Sequence, residues 1–158
     1  MGLRTKIELM KACEIHRGLL LKWANDPDVR KMAFNQKPIT WEEHSTWFDK
    51  KLKDSRCFIY IAYYGVIPIG QIRFDILEDN PKKAETDVSI ASFARGEGFG
   101  TEIIKLGVKK LFKEGDIDIV CAVVKGENTA SLSAFKSAGF KEFRGGKNSY
   151  LEIKKELI

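Results

Sequence analysis

With 158 residues, 44% of them hydrophobic and 31% charged, the chain is long enough for one well-buried core and too short for two ordinary domains, so a single domain over residues 1–158 is expected. The net charge of +5 and pI near 9.0 suit a polyanionic partner, but the basic residues are dispersed among acids without a Lys/Arg-rich block, and no nucleic-acid-binding surface is expected. Three cysteines, Cys13, Cys57 and Cys121, are odd in number and unrelated in spacing, which argues against a disulfide framework or a zinc site and favours the cytoplasm.

Met1-Gly2-Leu3-Arg4 opens no signal-peptide hydrophobic run. Residues 7–10 read as a first strand and residues 16–24 as a helix, ended by a turn at Asn25-Asp26-Pro27. Thr40-Trp41-Glu42-Glu43 has the form of a capping box and predicts a helix to about residue 53. Runs 58–64 and 67–76 are rich in β-formers about a Gly65-Val66 turn and predict an antiparallel pair. Gly65, Pro68 and Gly70 interrupt the apolar stretch 57–72, which therefore reads as a hairpin and not as a membrane span. Residues 84–92 alternate, with Thr86, Val88 and Ile90 on one face and Glu85, Asp87, Ser89 and Ala91 on the other. A helix over 101–114 carries the stripe Ile103, Ile104, Gly107, Val108 and Leu111, suited to covering a sheet. A strand over 117–124, a helix over 129–138 stopped by Gly139, and short strands at 140–143 and 150–153 complete the chain. Cys57 and Cys121 fall in apolar runs and read as small core residues.

Arg95-Gly96-Glu97-Gly98-Phe99-Gly100 lies between the alternating strand and the helix that follows. Strand, glycine turn, helix is a phosphate-binding arrangement: unpaired helix N–H groups and the positive dipole end attract a diphosphate, Gly98 and Gly100 let the main chain approach it, and Arg95 can add a charge-assisted contact. No Gly-Lys-Ser/Thr closes the loop and G-x-G-x-x-G is absent, so neither common nucleotide loop fits. Arg-x-x-Gly-x-Gly opening a helix resembles the acyl-CoA motif of the GNAT superfamily of N-acetyltransferases. The downstream segment Asn128, Ser131, Phe135 and Gly139-Phe140 is similar to a second block of that family. The resemblance implies an α/β fold with a mixed central β-sheet and helices on both faces. It also implies acetyl-CoA as acetyl donor, no metal, and coenzyme contacts from Gly96, Phe99 and Thr101 as well as the loop residues already named.

Acetyl transfer to an amine requires an anchored coenzyme, a polarised thioester carbonyl and an amine that has lost its proton. In similar enzymes a bulged strand offers a backbone N–H to the carbonyl, which by register is the region Val88, Ser89, Ile90 here. Asp87 and Glu85 face one way from that strand and are the candidate bases, with His44 next; the competing reading makes both carboxylates solvated or ion-paired. Asn128 and Ser131 either meet the pantetheine arm or cap a helix. Similar enzymes often carry a tyrosine seven positions after the asparagine as general acid, whereas Phe135 stands here and has no proton to give.

Together with the coenzyme blocks, Trp23-Ala24-Asn25-Asp26-Pro27-Asp28-Val29-Arg30, Glu42-Glu43-His44-Ser45-Thr46-Trp47-Phe48 and Gly70-Gln71-Ile72-Arg73-Phe74-Asp75 resemble the acetyltransferases of the pseudaminic acid pathway, the Asn-Asp-Pro segment being shared with ribosomal-protein N-acetyltransferases. That implies a UDP-linked 4-amino-4,6-dideoxy sugar as acceptor; the alternative is the N-terminus of a ribosomal or other protein. His44, Trp47 and Phe48 share a helix face and either contact the substrate or bury against the sheet, and Arg73 either meets a diphosphate or forms an ion pair. A monomer or homodimer is expected, with no membrane partner.

Overall fold

The computed structural model describes residues 6–144 and 146–157. The reading of residues 1–4 lies outside them. Seven strands form one sheet in the order β1-β2-β3-β4-β5-β7-β6. β1 (Ile7–Lys11), β2 (Cys57–Tyr64), β3 (Ile67–Ile76) and β4 (Lys83–Ile90) pair antiparallel in sequence order, as do β5 (Ile119–Lys125) with β7 (Asn148–Lys154) and β7 with β6 (Lys141–Arg144). Among the described residues only β4 and β5 run parallel, and they pair over three residues, ending at Glu85↔Cys121. Beyond that point β4 stays with β3 as far as Ile90 and β5 stays with β7 as far as Lys125, so the two strands part and the sheet opens. This opening positions the site.

Helices cover both faces. On one lie α4 (Phe99–Glu114) and α5 (Thr129–Ser137), packed on the main core. The expected stripe of α4 is buried throughout, because residues three and four apart share one helix side. Gly107 belongs to it for a steric reason: a Cβ there would stand 2.9 Å from Ile72 Cδ1, so glycine lets α4 approach β3. On the opposite face, α1 (Arg17–Ala24) and α3 (Trp41–Lys53) bury Leu20, Trp23 and Phe48 against Cys57, Ile59 and Ile61 of β2. Thr40 caps α3 with the expected reciprocal box: Glu43 N–H donates to Thr40 Oγ1, and Thr40 N–H donates to Glu43 Oε2.

The segment expected to be a turn at Asn25-Asp26-Pro27 continues instead into a short helix, α2 (Pro27–Met32). Pro27 occupies its first position, where the missing N–H costs nothing, and Asp26 caps it by accepting from Asp28 N–H. The loop after it is pinned by Asn25, whose side chain bonds both N–H and C=O of Ile39 at 2.8 Å. Arg30 donates to three main-chain carbonyls, those of Ala24, Asn35 and Lys37. Among the described residues no helix is long and apolar enough to cross a membrane.

Candidate active site

Gly98, in the left-handed region at φ +81°, precedes α4 and caps it with no side chain, as α1 also lacks one, whereas α2, α3 and α5 are each capped by a side-chain oxygen. The first N–H groups of α4, at Phe99, Gly100 and Thr101, therefore lack intrahelical partners at the helix's positive end. A cavity of about 1140 Å³ runs from this loop through the gap between β4 and β5 to the α2 and α3 side of the sheet. Gly96, Gly98, Phe99, Gly100 and Thr101 line it on the loop side, Val88, Ser89 and Ile90 along β4, and Asn128, Ser131 and Phe135 on α5 and its approach. His44, Trp47, Arg73 and Asp87 line the other end. The structure thus gathers into one cavity residues as far apart in sequence as His44 and Phe135.

Several placements differ from expectation. Arg95 borders the cavity, but its guanidinium is engaged by Asp26 and Asp28 of the α2 segment, both at 3.2 Å, and donates to Ile90 O. Phe48 is fully buried and presents nothing to a ligand; the expected substrate contact is corrected to a core residue. Glu85 is exposed on β4 outside the cavity lining, which leaves Asp87 as the carboxylate of that strand facing the cavity. The expected bulge in β4 is absent, since its register with β3 is continuous from Ala84 to Ile90. Divergence from β5 frees the edge instead. Ala91 N–H donates to Ile69 O across the β3 side, so by alternation the N–H groups of Val88 and Ile90 turn toward the opening. Asn128 caps α5, its Oδ1 accepting from Ser131 N–H at 3.2 Å. Phe135 packs edge-on against Phe140 with ring centroids 5.0 Å apart.

His44 is 3% exposed and parallel to Phe48, ring centroids 5.8 Å apart. Its Nε2 lies 2.8 Å from Arg17 O, and since a carbonyl only accepts, Nε2 carries the proton and donates. The ring thereby ties α3 to α1. Burial, more than the opposing hydrogen bond, lowers the pKa of His44, and burial likewise lowers that of His16, which bonds Tyr63 at 2.9 Å. Both imidazoles are therefore held neutral in the fold, while in the unfolded chain they protonate near their ordinary value of 6.5. Stability contributed by the neutral rings is complete above that pH and declines as the pH falls toward the lower folded values. The melting temperature should drop between pH 7 and pH 5, and His44→Gln should reduce the slope in a circular dichroism titration.

Arg73 sits over Trp47 at 5.2 Å from the ring centroid, donates to Asp75 at 2.8 Å and comes within 4.0 Å of Asp87. Asp87 is more than half exposed and points an oxygen at Gln71 Nε2, 3.1 Å away. Sequence reasoning quoted Gln71 only within a segment and gave it no role, although the period-two alternation of β3 sets Gln71, Arg73 and Asp75 on one face, opposite Ser89, Asp87 and Glu85. It also passed over Phe34 and Lys125, which meet across the cavity with the ammonium 5.8 Å from the ring. Burial pushes the Cys57 thiol up to about 12 and raises that of Cys121, and neither lines the cavity. Among the described residues no cluster of three or more His, Cys, Asp or Glu is placed to hold a metal.

The model of the acetyltransferase (GNAT) domain matches residues 6–141. An uncharacterised protein of Methanocaldococcus jannaschii is 26% identical over 152 residues, covering 94% of this chain and 31% of that protein, so the chain spans about a third of its length. An N-acetyltransferase 9-like protein of Caenorhabditis briggsae is 27% identical over 150 residues, 86% of this chain and 74% of that one. Among solved structures, a spermidine N-acetyltransferase from Vibrio cholerae in complex with CoA and spermine superposes with a TM-score of 0.84 at 16% identity, covering 95% of this chain and 96% of that one. An aminoglycoside acetyltransferase in complex with coenzyme A gives a TM-score of 0.81 at 17% identity, with 96% of each chain covered. At these identities the likeness is one of fold.

Proposed function

The chain belongs to the GNAT acetyltransferase domain family, and from that premise we propose that it transfers acetyl from acetyl-CoA to the primary amine of a nucleotide-activated amino sugar by direct attack in a ternary complex. One observation carries the reading: a single cavity joins an uncapped helix N-terminus to the Asp87 carboxylate through the gap where β4 leaves β5. The donor supplies a thioester. The amides at the start of α4 hold its diphosphate, and the N–H groups of Val88 or Ile90 polarise its carbonyl. Asp87 accepts the ammonium proton, the freed amine forms the N–C bond, the C–S bond breaks, and the second amine proton passes through solvent to the departing thiolate, leaving a neutral amide. Phe135 gives no proton to the departing sulfur. A thiolate with an ordinary thiol pKa of about 8.5 is a tolerable leaving group near neutral pH, so a protein acid is useful without being compulsory.

Trp47 and Arg73 at the acceptor end favour a nucleotide sugar: the indole offers a stacking face and the guanidinium a positive charge. Against an anionic acceptor, Arg73 is already neutralised by Asp75 and Asp87, and this favours the alternative, a protein N-terminal amine. Thiol release from acetyl-CoA with a UDP-4-amino-4,6-dideoxy sugar, compared with ribosomal-protein N-terminal peptides, separates the two. Turnover on the sugar is expected, with Trp47→Ala raising its KM about tenfold, the size of one aromatic contact, and sparing coenzyme affinity. Preference for peptides would transfer the assignment to the alternative.

A further inference from the structure

We propose that Gln71 is a positioning residue for acetyl transfer, fixing one oxygen of Asp87 so that the other is presented to the acceptor amine; this rests on the reading of Asp87 as proton acceptor. Gln71 is 7% exposed at the wall of the cavity, and a buried amide must be hydrogen-bonded. Its Nε2 is 3.1 Å from Asp87 Oδ2 and 3.1 Å from Ser89 Oγ. An ionised carboxylate only accepts, so the amide must turn its NH₂ toward Asp87, and the two hydrogens of that nitrogen are both spent. The register that sets Gln71 opposite Ser89, one step from Asp87, holds the fork in place.

The consequences fall on Asp87. On an exposed strand position its carboxylate would sample several rotamers, whereas a charge-assisted bond from a buried donor selects one. With Oδ2 occupied, Oδ1 remains for the proton. The charged and titratable groups around Asp87 are Arg73 and its partner Asp75 on β3 and Glu85 two residues along β4, with Glu43 and His44 of α3, Asp28, Arg30 and Lys31 of α2, Arg95 and Lys125 on the rest of the cavity wall. Of these, Arg73 comes within 4.0 Å of the carboxylate. Ser89, by accepting from Gln71, keeps its own hydroxyl hydrogen free to donate.

The test pairs Gln71→Met, which keeps length and removes the donors, with Gln71→Glu, which keeps shape and sets a second carboxylate against Asp87. Gln71→Met should lower kcat by about 10- to 100-fold with the KM for acetyl-CoA unchanged, and move the base limb of the pH profile upward. Gln71→Glu should do both more strongly. In an Asp87→Asn background Gln71→Met should add nothing, because the group it acts through is gone. Equal effects in both backgrounds, or a lowered melting temperature with kcat and pH profile unchanged, would overturn the proposal. If Asp87→Asn alone leaves kcat intact, the proton-acceptor reading fails instead. Side-chain amide hydrogen exchange of Gln71 reads the hydrogen bond without activity: faster exchange in Asp87→Ala than in the wild type is expected, and equal rates would refute the contact.

Discussion

Asp87→Asn should lower kcat by about 10²- to 10⁴-fold, the ordinary worth of general-base assistance, while coenzyme A binds as before. The amide keeps the shape of the carboxylate and loses its capacity to take a proton. Because Asp87 is more than half exposed and sits on β4, not on the loop that opens α4, neither the fold nor the coenzyme site should feel the exchange. Glu85→Gln is the internal control: the residue shares the strand face and lies outside the cavity lining, so its rate should stay near wild type. Steady-state kinetics with calorimetric coenzyme titration measures both. Loss of rate in Glu85→Gln with none in Asp87→Asn would place the base one turn of the pleat away, toward Cys121.

Gly98→Val should weaken coenzyme A binding at least tenfold, through two effects that a comparison with Gly100→Ala separates. Gly98 has φ +81°, where a β-branched residue is strained, and apart from its own chain neighbours no described residue comes within 4 Å of a Cβ built there. The added side chain would thus point into open space beside the unpaired amides, where a diphosphate has to come close. Gly100 has no such backbone constraint, and its Cβ would meet Ala134 Cβ at 3.7 Å and Ile90 Cγ1 at 3.8 Å, ordinary contacts. Gly100→Ala should therefore fold normally, and any affinity it loses reports on the ligand's approach. Unchanged affinity in Gly98→Val would remove the loop from coenzyme recognition.

The loop, the α4 stripe and the capping box of α3 were legible in the sequence because each is local: a few residues at fixed spacing dictate the geometry. The alternation of β4 likewise predicted which side chains share a face. What could not be read depends on distant partners. Phe48 and Trp47 are adjacent on one helix, and only the packing of α3 on β2 decides that one is core and the other reaches the cavity. Arg95 looked free for a phosphate because its partners, Asp26 and Asp28, are nearly seventy residues earlier, on a helix hidden behind a proline that reads as a turn. Gln71 was silent for the same reason: an isolated glutamine in a strand has no signature until the neighbouring strand is in register.

The α2 segment has hold of both banks of the cleft, through Asp26 and Asp28 to Arg95 on one side and through Phe34 under Lys125 on the other. A ligand that drew Arg95 away from those carboxylates would loosen the same helix that walls the acceptor end. Linkage then runs in both directions: whatever factor the coenzyme imposes on acceptor affinity, the acceptor must impose on coenzyme affinity. Donor and acceptor would not be independent guests, and one pair of aspartates would carry the coupling between them.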